Sequence, residues 1–176
     1  MSLQPEEVKN VVDKEIASLP EKFKSKKKEY LCYCLRSATA RARTYFGTTC
    51  DLVHRIRQHN GLIVGGARAT STTRPWRVAM VVRGFSDRSA ALRFEWFCKQ
   101  KHSKKAYYDA LHGGANSIER RAALIAAAAK KCPGEKLEVY YGDPYMEQCC
   151  KASIPEFAQE QSPMDAETKN VCFVMV

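Results

Sequence analysis

No run of 18 apolar residues occurs in the chain, so no segment has the length of a membrane-spanning helix. Residues 1–10 are polar and acidic and lack the apolar centre of a secretory signal, so the chain reads as intracellular. No C-x-x-C pair occurs among the eight cysteines (Cys32, Cys34, Cys50, Cys98, Cys132, Cys149, Cys150 and Cys172), and only four histidines accompany them. A structural zinc needs four ligands at close, paired spacings; none is expected, and thiols in a reducing compartment are. Cys172 stands fifth from the end, one place too early for a prenylation box. There is no internal repeat. Acidic residues are scarce where basic ones are dense. After Cys132, three Lys face eight Asp and Glu, a balance of −5, so residues 1–132 carry +15 within a net charge of +10. A basic body with an acidic tail points to a polyanion, most often nucleic acid; a well-solvated surface is the plain alternative.

What is present fits one globular domain. The chain has 176 residues, 45% hydrophobic and 27% charged, enough to bury a core. Residues 5–19 place Val8, Val12, Ile16 and Leu19 at helical spacing behind Pro5. A basic linker, EKFKSKKKE, follows. Tyr30 to Leu35 and Thr44 to Gly47 read as strands around a basic turn, RSATARAR. Asp51 to Asn60 reads as a helix with Thr49 or Asp51 near its start and Gly61 at its end. A Gly/Thr/Arg loop over 61–75 leads to a third strand, Trp76 to Arg83. A second core helix runs from Ser86 to about Gln100, capped by Ser86 or Asp87. Residues 100–116 read as a basic connector, partly helical, and Ile118 to Lys131 as a strong helix by propensity. Leu137 to Tyr141 is a candidate last strand. The tail from Ser153 reads as loose, with VCFVMV a candidate edge strand. The division is an N-terminal helix and linker (1–28), a central α/β domain (29–142) and an acidic tail (143–176).

The ordered motifs narrow this class. Leu31-Cys32-Tyr33 is followed, after eleven residues, by Tyr45-Phe46-Gly47; then come HRIRQHNG at 54–61, GGARATSTTRPW at 65–76 and GF…ALRFEW at 84–96. The string resembles the GIY-YIG nuclease family, and within it the catalytic subunit of the eukaryotic Slx structure-selective endonuclease. The resemblance covers residues 30–100 well and 115–142 loosely. It implies an α/β fold with a small three-stranded antiparallel sheet flanked by helices, here with extra helices at both ends. It also implies metal-dependent hydrolysis of phosphodiesters in branched DNA (flaps, splayed arms, Holliday junctions) in repair or recombination.

The residues can be weighed on their own chemistry. Such hydrolysis needs a cation-holding carboxylate, a group that takes a proton from water, and a fixed positive charge for the transition state. On the second core helix Ala90, Ala91, Phe94, Phe97 and Cys98 make an apolar arc, and Glu95 lies at its edge. A carboxylate there is costly unless paired or coordinating. Arg55 and His59 share a helix face at i, i+4. Tyr33 and Tyr45 sit on the first two strands, and a tyrosine acts as base only if its ordinary value near ~10 is lowered. Each residue has a plain structural reading too: ion pairing for Glu95, a solvated Arg55, a satisfied rim His59, and core packing for the tyrosines. The resemblance implies that Glu95 holds the metal, one Mg²⁺ or Mn²⁺, and that Arg55 meets the scissile phosphate. It implies that His59 contacts phosphate or helps transfer a proton, and that Tyr33 and Tyr45 are the family's paired tyrosines.

DNA would be gripped by Arg36, Arg41 and Arg43 in the turn, Arg57 on the helix, and Arg68, Arg74 and Arg77 around the glycine loop. Lys99, Lys101, Lys104 and Lys105 extend that surface, and Gly65-Gly66 lets backbone N–H groups approach phosphate. Such contacts position DNA without reading its sequence. The chain departs from the family pattern in three places. Leu31-Cys32 replaces the usual glycine and β-branched residue. His54 stands where the Slx pattern often has Arg. Residues 101–176 hold too few Cys and His for the C-terminal RING/PHD-type zinc finger, so binding of a scaffold protein is left open. No membrane partner is expected, and the compartment reads as the nucleus or a viral replication site. Two other functions stay open: a nuclease on RNA or unbranched DNA, and a catalytically weak nucleic-acid-binding subunit.

Overall fold

The computed structural model describes residues 4–24, 29–99, 118–132, 135–153 and 171–175. The elements are α1 (Pro5–Ser18), α2 (Glu21–Lys24), β1 (Leu31–Ser37), β2 (Thr44–Thr49), α3 (Leu52–His59), β3 (Trp76–Arg83), α4 (Arg88–Lys99), α5 (Ile118–Ala129), β4 (Lys136–Tyr141), α6 (Pro144–Ser153) and β5 (Val171–Met175). The strands form one antiparallel sheet in the order β2-β1-β3-β4-β5.

Alternation along the strands divides the core in two. Tyr33, Leu35, Val78, Val81 and Tyr140 face Val8, Val12 and Leu19 of α1 and its exit, Phe23 of α2, and Leu52 and Ile56 of α3. Cys32, Cys34, Met80, Val82 and Val139 face Phe94 of α4, the alanine-rich α5, and Met146 and Cys150 of α6. The sheet is therefore covered on both faces, which is why its central strands read as near-continuous apolar runs.

Caps set the helix starts. The Asp51 side chain accepts the His54 N–H at 2.9 Å, and Asp87 accepts the Ala90 N–H at 2.7 Å. Asp87, not Ser86, thus starts α4; Ser86 donates to Glu135 instead. A bulge in β3 opposes Cys34/Leu35 to Met80 and Val78, leaving Ala79 out of the pairing. The freed groups find partners elsewhere: Glu15 of α1 accepts the Val78 N–H at 2.8 Å, and the Ala79 carbonyl accepts from Gly142 and Asp143. Burial raises the Glu15 carboxyl, with the Val78 N–H acting against it.

The three-stranded sheet expected from the resemblance, β2-β1-β3, stands at one side of a five-stranded one. β4 and β5 extend it because β3 still offers a free edge after pairing β1. The basic linker begins as α2, since burial of Phe23 (3% exposed) outweighs the run of lysines. Helix α6 was not anticipated. The basic connector with Lys101, Lys104 and Lys105, and the tail over 154–170, lie outside the described residues. No described helix is long and apolar enough to cross a membrane.

Candidate active site

Strand β1 carries Tyr33 in its centre, fully buried, and α3 runs back over it to place His59 against the ring. The Thr70 hydroxyl donates to the Ala67 carbonyl at 2.7 Å, so its oxygen accepts from His59 Nδ1 at 3.0 Å. The other imidazole nitrogen, Nε2, is then the acceptor for the Tyr33 hydroxyl, 2.8 Å away. This network assigns a neutral His59 with its proton on Nδ1. Burial, then the charges of Arg55, Arg74 and Lys99, push His59 down to about 4, which agrees with that assignment. Burial, and then Tyr45, push the Tyr33 phenol up, against an opposing pull from Arg55. Tyr33 is thus a protonated phenol aimed at a free base.

The Tyr45 ring packs 4.5 Å from the His59 ring and 6.3 Å from the Tyr33 ring. Arg55, half-buried on α3, donates to Gln58 Oε1 at 2.6 Å and reaches the Gly65 carbonyl at 3.4 Å. Gly47 makes the cluster possible: a Cβ there would stand 2.6 Å from the Tyr33 hydroxyl oxygen. At Gly66 a Cβ would meet the Gln58 carbonyl at 2.3 Å, so the glycine loop lies tight against the end of α3. That close approach is to the protein's own backbone.

Glu95 belongs to the other layer. Its Oε2 accepts from Thr48 Oγ1 at 2.8 Å at the outer strand β2, and its Oε1 pairs with Lys99. Its side chain is 17% exposed, the rim position that the helical wheel indicates. The Lys99 ammonium also lies 5.6 Å from the centre of the Tyr45 ring, so the α4 group meets the tyrosine group around the free edge of β2. The resemblance implies a divalent cation. Glu95 offers it one carboxylate, and no cluster of three or more His, Cys, Asp or Glu exists among the described residues. That donor set fits a hard cation that keeps most of its waters, and does not fit one needing a protein cage.

The arginines do not form one surface. Arg36 pairs with Asp143 at 2.6 Å and, with Arg41 and Arg77, lines a separate cavity of about 410 Å³ that also holds Glu15. Arg74 turns inward, its Nε donating to the His59 carbonyl at 3.0 Å at the end of α3. Arg43, Arg57 and Arg68 are exposed. Thr48, Gln58 and Thr70 orient the central groups and escaped the sequence reading. Thr48 lies on β2, Gln58 on α3 and Thr70 in the loop before β3, and the contacts of a lone hydroxyl or amide leave no periodic pattern in the sequence.

Residues 29–108 match the model of the GIY-YIG catalytic domain. The chain is 47% identical over 76 residues to a structure-specific endonuclease subunit SLX1 of Malassezia globosa, covering 43% of this chain and 17% of that protein. It is 43% identical over 103 residues to a structure-specific endonuclease subunit slx1 of Schizosaccharomyces japonicus, covering 57% and 37%. Against an SLX1 subunit of Cryptococcus neoformans var. neoformans the figures are 40% over 124 residues, 63% and 26%. The chain thus spans little more than a third, at most, of these curated relatives. With the β2-β1-β3 core and its helices in place, residues 29–108 of this chain match the GIY-YIG catalytic domain and are similar to part of the SLX1 endonuclease subunits.

Proposed function

We propose that the chain is a structure-selective endonuclease that hydrolyses phosphodiester bonds in branched DNA, as part of repair or recombination. The observation that carries this reading is the Tyr33 hydroxyl held 2.8 Å from an unprotonated His59 nitrogen, with Arg55 beside it and Glu95 around the β2 edge. A raised phenol cannot take a proton from water by ionising first. It can pass its own proton to His59 Nε2 while its oxygen receives one from the attacking water, which requires that bound DNA open a path to a phenol fully buried in the free chain. His59 is kept neutral for that task, and Thr70 holds its tautomer. Arg55 supplies the fixed positive charge that the pentavalent phosphorus needs. A divalent ion on Glu95, Mg²⁺ or Mn²⁺, would neutralise phosphate charge and favour departure of the leaving oxygen. Lys99 would have to release Glu95 for this, and its side chain, 47% exposed, can turn to phosphate.

The relatives are named as subunits, which supports a further protein subunit as this chain's partner. The nucleus is the compartment that suits such a substrate. The test uses Glu95→Gln. Cleavage of flap and splayed-arm DNA in Mg²⁺ or Mn²⁺ should vanish, and binding of the same DNA by gel shift should stay near wild type. Full activity of the variant would remove Glu95 from the reaction. Equal cutting of plain duplex, or a preference for RNA, would replace the substrate.

A further inference from the structure

Among the described residues, two of the exposed large apolar side chains stand four residues apart on α4: Leu92, 42% exposed, and Trp96, 59% exposed. At that spacing they share one helix face. A lone surface apolar residue needs no explanation, but this pair adjoins the candidate metal carboxylate. At about 100° per residue, the open side of α4 presents Glu95, Lys99, Leu92, Trp96 and Arg93 in that angular order. Lys99 ties the strip to the Tyr45 ring. Arg93 and Lys99, both exposed, border the apolar pair with positive charge. The Trp96 ring is braced by Phe97, which stands nearly edge-on at 5.2 Å and 71°. The strip therefore joins an aromatic face to flanking cations beside a phosphate-cutting centre, the combination that binds single-stranded nucleic acid.

We propose that Trp96, backed by Leu92, is a stacking platform for an unpaired base of a DNA arm whose backbone passes Glu95. This rests on the nuclease reading and names the feature of the substrate that the site selects. In a duplex both faces of each base are covered by neighbouring bases. An indole can stack only where a strand has left the helix, so Trp96 would mark the branch without reading sequence.

The chain supplies its own probe. Its other tryptophan, Trp76, is 2% exposed, with its indole N–H donated to the Thr70 carbonyl at 2.9 Å. A fluorescence change on DNA binding therefore reports Trp96. In the Glu95→Gln background, splayed-arm DNA should quench the emission, and fully paired duplex or a splayed arm with abasic sites at the fork should not. In the otherwise wild-type chain, Trp96→Ala should weaken splayed-arm binding by about 5- to 150-fold. Duplex binding and melting temperature should not move, and Trp96→Phe should recover much of the loss. Equal quenching by duplex, a Trp96→Ala chain that binds and cuts splayed arms as wild type does, or parallel losses of stability and duplex binding would each overturn the platform. Quenching by the splayed arm in that background, together with no cleavage of any DNA by the wild-type chain in Mg²⁺ or Mn²⁺, would instead overturn the nuclease reading and leave the platform standing.

Discussion

Burial pushes His59 down to about 4 in the fold, whereas an exposed imidazole titrates near ~6.5. Between those values the unfolded chain binds the proton that the folded chain refuses. Stability therefore rises with pH across this window, is fully present above about 6.5, and is lost as pH falls toward 4. The slope is at most about 1.4 kcal/mol per pH unit. Urea melts of the full chain from pH 4.5 to 7 should show this dependence, and His59→Gln should flatten it. An unchanged slope in the variant would mean that other groups set the acid limb.

At the scale of elements, the approach of β2 to β1 depends on one missing methyl group. A Cβ at Gly47 would stand 2.6 Å from the Tyr33 hydroxyl oxygen and 2.8 Å from the ring carbon bearing it, and Tyr33 is fully buried with nowhere to retreat. Gly47→Ala should therefore cost about 1–3 kcal/mol, as overpacking does, and cut turnover by displacing the phenol from His59. Adding Tyr33→Phe removes the closest atom. The double variant should recover part of the stability in denaturant melts and none of the activity. This glycine was legible in the YFG triplet, and so was the strand carrying it. The bulge at Ala79 was not, because it is defined by pairing between β1 and β3, which no local pattern encodes.

Across the whole molecule, charge and edge protection act together. Residues 1–132 carry +15, and the acidic remainder supplies β4, α6 and β5. If about six phosphates are contacted, log affinity for branched DNA should fall against log salt with a slope near −5, at roughly −0.9 per phosphate. A flat salt response in filter binding would rule out a backbone grip by the basic body. Ending the chain at Ser153 removes more than negative charge. It takes away β5, whose residues Val171 to Met175 pair with β4, and bares that edge. The shortened chain should melt lower and associate by light scattering at concentrations where the full chain does not.

The sequence by itself determined the local features: the order of strands and helices through residue 99 apart from α2, a pair of candidate caps at the start of α3 and of α4, and the apolar arc that leaves Glu95 on a rim. These depend on spacing and on side chains close along the chain. It also carried the ordered motifs that mark the nuclease domain. The tertiary structure alone decided which groups meet. It set the hydrogen-bonded chain from Tyr33 through His59 to Thr70, drew Arg36 and Arg74 into internal partners, and widened the sheet with β4 and β5. Those contacts join residues distant in the chain, and burial set the protonation state of His59 only after folding had brought its neighbours around it.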